Sequence, residues 1–486
     1  MARSAADRIV GIETEFGTLV QPGLGTPEGA VEAIKDHVFY ELRLGAIDLL
    51  ARDEVFEPAE SGGFLMNGGR LYIDAVGSHL EYATAECRSL RDLVAQDRAG
   101  QRLIVRALQD LGLRDVVDVY NNSTDHFGGH TFGCHENYLV RMEDDFMSVR
   151  TPGLIGFLVT RQIFAGTGRV GGHILAATNR PNLGAVSANP IDYIWVSQIY
   201  HALPDDSVEF QLSQRADHIL KTVASRVRFN RALINPKWEH FYAHDGMNRF
   251  HLLFGEANQS EYAMALKVGT TSLVLRLAEE GKIPDRLVLD RPLVALRQVS
   301  RDRSYRWPVC LTQGASIGAV DYQREFLALA QQYRGDSNDT DWVLEEWEDV
   351  LDQLEADPLQ LADRLDWVAK LKILEAYMED TGTGWEDPAL HSVDLEYHNI
   401  DPEKSLFHAL DTRRFVAPVD IVEAQAEPPQ DTRALGRSKI VRAVVSGNGP
   451  SAYLFDWSGA TLDRGRFLEM PDPFHTYERE AATLLG

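Results

Sequence analysis

The stretch that decides the fold is residues 11–17, GIETEFG. Apolar and β-branched residues around it predict a strand over 8–16. Side chains of a strand alternate between faces, so Glu13 and Glu15 share one face and stand about 7 Å apart. Two buried carboxylates at that spacing repel each other unless a cation joins them, and Mg²⁺ prefers such oxygen ligands and often carries phosphates. Alone, the stretch slightly favours a plain acidic strand face in water.

Two further predicted strands carry the same kind of side chain. The stretch RLYID puts Arg70, Tyr72 and Asp74 on one face. An arginine suits a phosphate, and an aspartate suits a base or nucleophile, although a salt-bridged strand explains this stretch equally well. The next stretch, GSHLEYATAEC, begins at Gly77 and adds the carboxylate of Glu81. Three carboxylate-bearing segments favour a metal site more than any one of them does.

A fourth stretch, GCHENY at 133–138, places His135 and Asn137 on a common face if it is a strand. Cys134 has no neighbouring cysteine or histidine pattern, so it predicts neither a zinc site nor a nucleophile. The chain has no Walker A sequence and no well-placed GxGxxG. A nucleotide would therefore be held through metal-bridged phosphates and strand side chains.

Composition excludes several protein classes. The 486 residues carry a formal charge of −25, which argues against a nucleic-acid or membrane-surface partner. Three cysteines are too few for a disulfide framework and favour a reducing compartment. The start of the chain does not resemble a signal peptide, and no apolar run is long enough to span a membrane. We therefore expect a cytoplasmic protein.

Strands mixed with long helices predict an α+β class with a sheet as the chemical platform. Asn258 and Glu261 resemble a capping box ahead of one helix, and Gly112 fits the end of another. Proline-bearing polar sequence at 426–432 accompanies a predicted small C-terminal domain over 416–486, after a catalytic domain over 1–415. Helices are predicted at 30–50, 90–111, 265–280, 342–354 and 363–378.

Together and in order, the four stretches resemble the proteasome accessory factors of the Pup ligase and Dop family. Dop is the deamidase and depupylase of Pup. The resemblance extends through FLVTRQ at 157–162, LSQRAD at 212–217, LKVGT at 266–270 and LDWVAK at 365–370, and covers nearly the whole chain. It implies a glutamine-synthetase-like carboxylate–amine ligase fold, in which a curved antiparallel sheet packed by helices cradles ATP beside a small C-terminal domain.

The resemblance also implies a set of site residues, one cofactor pair and a partner. The partner would be a small Pup-like protein modifier together with tagged proteins. Trp457 has a serious alternative as a core aromatic, and the role of His251 is less defined. The implied residues are Glu13, Tyr72 and Glu81 for Mg²⁺, Arg70, Thr84, Trp457 and Arg215 for ATP, and Asp74 for catalysis.

The direction of the reaction is the weakest part of the hypothesis. The stretch 77–87 is more ligase-like, whereas Pro22-Gly23 and the segment 365–374 are more Dop-like. We favour a Dop-like hydrolase that removes a Pup-like tag from lysine or deamidates its C-terminal glutamine. The alternatives are a Pup-like protein ligase acting through a glutamyl phosphate and a small-molecule glutamate–amine ligase. A non-catalytic scaffold ranks last, because the implied catalytic residues are all present.

The chain departs from the family pattern at three places. One extra residue lies between Asp74 and Glu81, so the role of Glu81 assumes that a loop absorbs it. A long insertion is predicted at 171–209. The sequence PKWEH at 236–240 replaces a family run in the tag-binding half, which leaves the identity of the tag open.

Overall fold

The centre of the molecule is a ten-stranded mixed sheet in the order β10-β11-β12-β7-β1-β5-β4-β3-β2, with β6 also paired to β1. The computed structural model describes residues 8–51, 58–74, 79–126, 130–143, 145–177, 200–224, 231–236, 246–447 and 452–486. Its strands are β1 Val10–Val20, β2 Gly45–Ile47, β3 Gly62–Leu65, β4 Arg70–Asp74, β5 His79–Ala83, β6 Val117–Tyr120, β7 Cys134–Arg141, β8 Arg169–Ala177, β9 Tyr200–Gln211, β10 Lys221–Val223, β11 Ala232–Pro236, β12 Met247–Leu252, β13 Pro308–Cys310, β14 Ser316–Gly318, β15 Tyr453–Asp456, β16 Gly459–Leu462 and β17 Phe467–Glu469.

Helices cover this sheet and build the largest part of the core. Two short π-helical segments, His37–Glu41 and Phe146–Arg150, adjoin them. The α-helices are α1 Pro27–Asp36, α2 Leu90–Asp110, α3 Thr151–Thr160, α4 Gln162–Ala165, α5 Glu261–Glu279, α6 Pro292–Arg301, α7 Ala319–Ala330, α8 Asn338–Ala356, α9 Asp366–Thr381, α10 Ala389–Tyr397, α11 Pro418–Ala424, α12 Ala434–Val445 and α13 Glu478–Leu485. The predicted α+β class is confirmed.

The strand register determines which motifs meet. Strand β1 lies between β5 and β7 and pairs antiparallel with both. Glu15 is directly opposite Glu81, and Glu81 is directly opposite Tyr72 on β4. The connection with the extra residue lies outside the described residues. The register of β4 and β5 on either side of it places Glu81 opposite Tyr72. The sheet is antiparallel as predicted, apart from the parallel pair β10–β11 among the described strands.

The C-terminal region contributes to two different cores. Val416 and Ile421 pack in the main core, whereas Ile440 and Phe455 pack with Phe64 of β3 in a smaller one. The smaller core attaches the three-stranded sheet β15-β16-β17 to the edge of the large sheet. The domain boundary at 415/416 stays a prediction.

Two predicted helices differ in detail. The segment predicted as a helix over 30–50 is helical only to Glu41 and then continues into β2. The Met66 amide, directly after β3, donates a hydrogen bond to Leu44 O, so the chain has joined the sheet by Leu44. The predicted capping box at Asn258 is wrong. Helix α5 begins at Glu261 with Ser260 as its N-cap, and the Asn258 side chain instead donates to the carboxylate of Asp366 at 2.8 Å.

The other helix predictions hold more closely. Helix α2 is capped by Ser89, whose hydroxyl accepts from the Asp92 amide, and it ends before Gly112 at φ +67°. Of the predicted insertion, the β8–β9 hairpin is described and residues 178–199 lie outside the described ranges, as do 237–240. Among the described helices, none combines the length and apolar character needed to cross a membrane.

Candidate active site

Three carboxylates from three adjacent strands converge on one face of the large sheet. One oxygen from each of Glu15, Asp74 and Glu81 lies within 4.8 Å of the others. Glu81 is 4% exposed, while Glu15 and Asp74 are half-buried. The period-two alternation of β1 and β4, together with the register through β5, produces this convergence. Acidic residues of neighbouring strands therefore lie close together in the fold, as the sequence predicts.

The charge balance of this acidic cluster is unfavourable without a cation. Burial, followed by the charges of Glu15, Glu13 and Asp74, raises the pKa of Glu81 well above its usual range. The Tyr72 hydroxyl hydrogen-bonds to Glu81, and burial followed by the charges of Glu81 and Glu13 raises the pKa of Tyr72. Carboxylate oxygens packed this closely are the donor set that Mg²⁺ prefers. The residues present therefore fit a divalent cation.

Glu15 is hydrogen-bonded to a histidine. His79 Nδ1 lies 3.0 Å from its Oε2. Burial opposes ionisation of Glu15, but the hydrogen bond and charge of His79 lower its pKa to about 2. A β-carbon at Gly133 would stand 2.5 Å from Glu15 Oε1 and from His135 Nε2, so a larger residue here would displace both of these side chains. Backbone and carboxylates are thus closely packed around the acidic cluster.

Glu13 belongs to a second group of side chains, which lies on the β7 side of β1. One ligand atom from each of Glu13, His135 and His251 lies within 4.8 Å of the others. Asn137 Nδ2 and Arg249 Nη1 each donate to Glu13 Oε1 at 3.1 Å. Burial would raise the pKa of Glu13, but the hydrogen bond from His135 and the charges of His251 and Arg249 lower it well below its usual range. Glu13 is ionised and held in place.

A solvent-open cavity lies next to Glu13. It contains about 640 Å³ of empty space when the space open to solvent is counted. Its lining includes Gly11, Glu13 and Thr84 from the sheet, Arg249 from β12 and Trp457 from the small C-terminal sheet. Since the acidic cluster begins two residues along β1, the cavity and the cation site adjoin each other.

An irregularity at the end of the β1–β5 ladder shapes the cavity wall. The pair Glu13–Ala83 is followed by the bridge Val10–Cys87, so two residues of β1 face three of the other segment. In this bulge the Thr84 hydroxyl accepts from the Ile12 amide at 3.1 Å. The predicted nucleotide contact Thr84 therefore lies in the wall.

The C-terminal region is attached beside the cavity by buried charges. Arg433 Nε donates to Glu86 at 2.8 Å, and Arg437 donates to the same carboxylate and, at 3.0 Å, to Trp457 O. The Arg437 guanidinium lies 5.0 Å from the centre of the Trp457 ring, whose edge contacts Phe64. These contacts hold Trp457 at the cavity wall. Trp457 therefore borders the cavity, as a nucleotide contact would, and also packs against the smaller core, as a core aromatic would.

Two predicted ATP contacts lie outside the cavity lining. Arg70 is 3% exposed, pairs with Asp48 at 2.9 Å and lies over the Tyr72 ring at 4.2 Å. Arg215 is buried on the Glu15 side, where its Nη1 donates to Phe132 O at 3.1 Å. Their contact with ATP stays a prediction.

Sequence reasoning missed Arg249 and left His251 without a defined role. Strand β12 pairs with β7 so that His251 is opposite Asn137, and its Nδ1 lies 2.8 Å from Asn137 Oδ1. The alternation of Arg249 and His251 on a strand was the available signal, but the pairing of β12 with β7 could not be derived from spacing.

Comparison with known proteins agrees with this geometry. The family model of the Pup-ligase protein matches residues 8–461. A Pup–protein ligase of Xylanimonas cellulosilytica is 35% identical over 98% of this chain and 99% of its own. A depupylase of Acidothermus cellulolyticus is 36% identical, over 81% of this chain and 75% of its own.

Two solved structures extend the agreement to three dimensions. The complex of the prokaryotic ubiquitin-like protein Pup with its ligase PafA matches with a TM-score of 0.78 and 28% identity, over 99% of this chain and 92% of the other. PafA in complex with ADP matches with a TM-score of 0.73 and 29% identity, over 96% of each chain.

The preference for a Dop-like hydrolase is wrong, because the near full-length matches are to Pup–protein ligases. The stretches behind it build the fold rather than the site. Gly23 lies in a turn at φ +83°, and Trp367 and Leu371 of α9 are buried in the main core. Neither stretch contributes to the acidic cluster or the cavity. The chain belongs to the Pup-ligase family.

Proposed function

We propose that this protein is an ATP- and Mg²⁺-dependent ligase that joins the C-terminal glutamate side chain of a small Pup-like modifier to a lysine of a target protein. The observation that carries the proposal is the convergence of Glu15, Asp74 and Glu81 next to a cavity lined by Glu13, Thr84 and Trp457. The near full-length match to proteins named Pup–protein ligase, and the match to a PafA–ADP complex, support the same reaction.

In this proposal ATP occupies the cavity. Thr84 and Trp457 line the part that would receive the base and ribose, and Arg249 lies beside Glu13 where phosphates would meet the cation. Glu13, Tyr72 and Glu81 remain the proposed Mg²⁺ ligands, and Glu15 is added because it faces Glu81 directly. When bound, Mg²⁺ would supply the positive charge that phosphoryl transfer requires.

The reaction balances in two steps. A carboxylate oxygen of the modifier's glutamate attacks the γ-phosphorus of ATP, which forms an acyl phosphate and releases ADP. The lysine amine then attacks the acyl carbon, Asp74 takes the proton from the nitrogen, and inorganic phosphate leaves as the isopeptide bond forms. Asp74 suits this role because it is the last residue of β4, is only half-buried and belongs to the acidic cluster.

The test is to incubate the protein with Mg²⁺, ATP, a lysine-bearing target and a Pup-like modifier that ends in glutamate. We expect one ADP and one phosphate for each conjugate formed. The same reaction with a modifier ending in glutamine is the matched control and should give no conjugate. Ammonia release from that control without net ATP consumption would overturn the proposal.

A further inference from the structure

Arg215 is a buried cation next to the acidic cluster. It follows β9 and begins the short turn Ala216–His218, and only 6% of it is exposed. Its amide donates to Ser213 Oγ at 3.2 Å and to Glu256 at 3.3 Å, so its backbone position is fixed. Of its side chain, Nη1 donates to Phe132 O, while the buried Nε has no acceptor.

This lack of a counter-ion is unusual for the molecule. Within the described ranges, the other buried arginines apart from Arg169 each have a carboxylate oxygen at 3.2 Å or closer. These paired arginines are Arg8, Arg70, Arg98, Arg161, Arg433 and Arg437. A buried guanidinium without an anion is strongly disfavoured, because burial removes the water that would otherwise solvate its charge.

The carboxylates nearest to Arg215 are already engaged. The attractive charges that it feels come mainly from Glu15 and Glu256. Glu256 accepts from the Thr167 amide and hydroxyl at 2.8 Å each and from Ser213 Oγ. Glu15 faces the cation site and His79. Arg169 differs, because His173 accepts from it at 2.9 Å and three aspartates contribute attractive charge.

The position of Arg215 points to the second substrate rather than to the nucleotide. Arg215 is absent from the residues that line the cavity. The residue that accepts from it, Phe132, packs its ring on His79 with centroids 4.6 Å apart. His79 in turn is the cross-strand partner of Asp74 and contacts Glu15. Arg215 thus lies on the side of the acidic cluster away from Thr84 and Trp457.

We propose that Arg215 binds the α-carboxylate of the modifier's C-terminal glutamate, an assignment that rests on the proposed ligase function. A C-terminal glutamate carries two carboxylates, and only the side-chain one is phosphorylated in the proposed reaction. The free Nε edge of a guanidinium matches a carboxylate with two parallel hydrogen bonds. By holding the α-carboxylate, Arg215 presents the γ-carboxylate to the γ-phosphate and to Asp74. This assigns Arg215 to the modifier and not to ATP.

The experiment compares two modifier peptides that end in Gly-Gly-Glu, one with a free α-carboxylate and one with an α-carboxamide. Both keep the reacting γ-carboxylate. We expect the wild-type protein to conjugate the free acid about 100-fold faster, the scale of losing a buried charge-assisted contact. In Arg215→Met the rate on the free acid should fall to that on the amide, so the ratio approaches one. ADP affinity should stay unchanged.

Arg169→Met is the matched control, because it removes the other unpaired buried arginine. It should leave the acid-to-amide ratio at the wild-type value even if it lowers stability. Arg215→Lys retains the charge and should restore part of the ratio, which keeps the test open if Arg215→Met does not fold. No preference in the wild type, or an unchanged ratio in an active Arg215 variant, would overturn the inference. Failure of the wild type to conjugate either peptide or the intact modifier would instead overturn the ligase proposal.

Discussion

Glu81 and Glu86 stand five residues apart on one segment and are 4% and 8% exposed, yet their pKa values shift in opposite directions. Burial raises the pKa of both. For Glu81, the charges of Glu15, Glu13 and Asp74 add to that rise. For Glu86, Arg437 and Arg433 outweigh burial and lower the pKa to about 2.

This difference separates a structural charge from a functional one. Glu86 has its counter-ions within the protein, so it attaches the C-terminal region to the sheet. Glu81 is surrounded by further carboxylates, so its neutralisation must come from a proton or from a bound cation. The acidic cluster around Glu81, whose charge is unbalanced, is therefore the part of the site that is prepared for a ligand.

Replacing Asp74 with asparagine tests the acidic cluster most severely. The variant keeps the shape of the site but removes the proposed base, so we expect conjugation to slow by about 10²–10⁴-fold. ADP affinity should change by less than about threefold, because Asp74 is not among the residues that line the cavity. Single-turnover conjugation and calorimetric ADP titration measure the two effects. A large loss of ADP affinity would mean that Asp74 serves the nucleotide.

Glu86→Gln tests the carboxylate whose charge is balanced within the protein. It leaves Arg433 and Arg437 buried without their carboxylate, and we expect the free energy of unfolding to fall by about 3–5 kcal/mol. Urea unfolding without nucleotide or Mg²⁺ gives this value. The matched control is Glu81→Gln, the same substitution on the same segment. Equal losses of unfolding free energy in the two variants would contradict the distinction between Glu81 and Glu86.

The pH dependence of stability sharpens the same distinction. The folded-state pKa of Glu86, about 2, lies below its ordinary value of 4.5. A lowered pKa stabilises the fold above pH 4.5, and this contribution is lost as pH falls from 4.5 towards 2. The contribution of Glu86 to the free energy of unfolding is on the order of 3 kcal/mol. Unfolding free energies of the wild type should therefore fall more steeply between pH 5 and pH 3 than those of Glu86→Gln. Parallel curves would contradict this.

Glu81→Gln should behave in the opposite way to Glu86→Gln. Removing one of several repelling carboxylates should leave the metal-free protein as stable as wild type, or more stable by about 1 kcal/mol. The affinity for ADP in the presence of Mg²⁺ should fall about tenfold, while binding in excess chelator should be unchanged. A destabilised metal-free variant would show that Glu81 already has a structural partner.

The smallest expected effect is at Trp457. Trp457→Leu removes the aromatic wall but keeps an apolar side chain next to Phe64. Loss of aromatic stacking on a base is worth about 1 kcal/mol, so ADP affinity should fall about fivefold with no change in the Mg²⁺ dependence. Unchanged affinity would favour the alternative of a core aromatic.

Local patterns predicted much of the site. Alternation along β1 and β4 placed Glu13, Glu15, Tyr72 and Asp74 on their faces, and Glu81 followed from the next strand. Spacing could not reveal that β12 returns beside β7, so Arg249 was missed. It also could not reveal that Arg70 of β4 would be paired with Asp48, which directly follows β2, because long-range pairing depends on the assembled sheet.

The fold class followed from the order of strands and helices, whereas element ends depended on tertiary contacts. The end of the helix that starts at Pro27 is set by the strand Gly45–Ile47, which pairs with β3. The start of α5 is set by Asp366, which accepts from the Gln259 and Ser260 amides at 3.0 and 2.9 Å. These partners lie far away in the sequence, so local signals such as Asn258 were misleading.

The most direct test of the central claim is a crystal structure with Mn²⁺ and a non-hydrolysable ATP analogue, analysed by anomalous scattering at the manganese edge. We expect a manganese peak bonded to carboxylate oxygens of Glu13, Glu15 and Glu81, next to Asp74 and the analogue's phosphates. A peak elsewhere, with those carboxylates turned away from the phosphates, would contradict it.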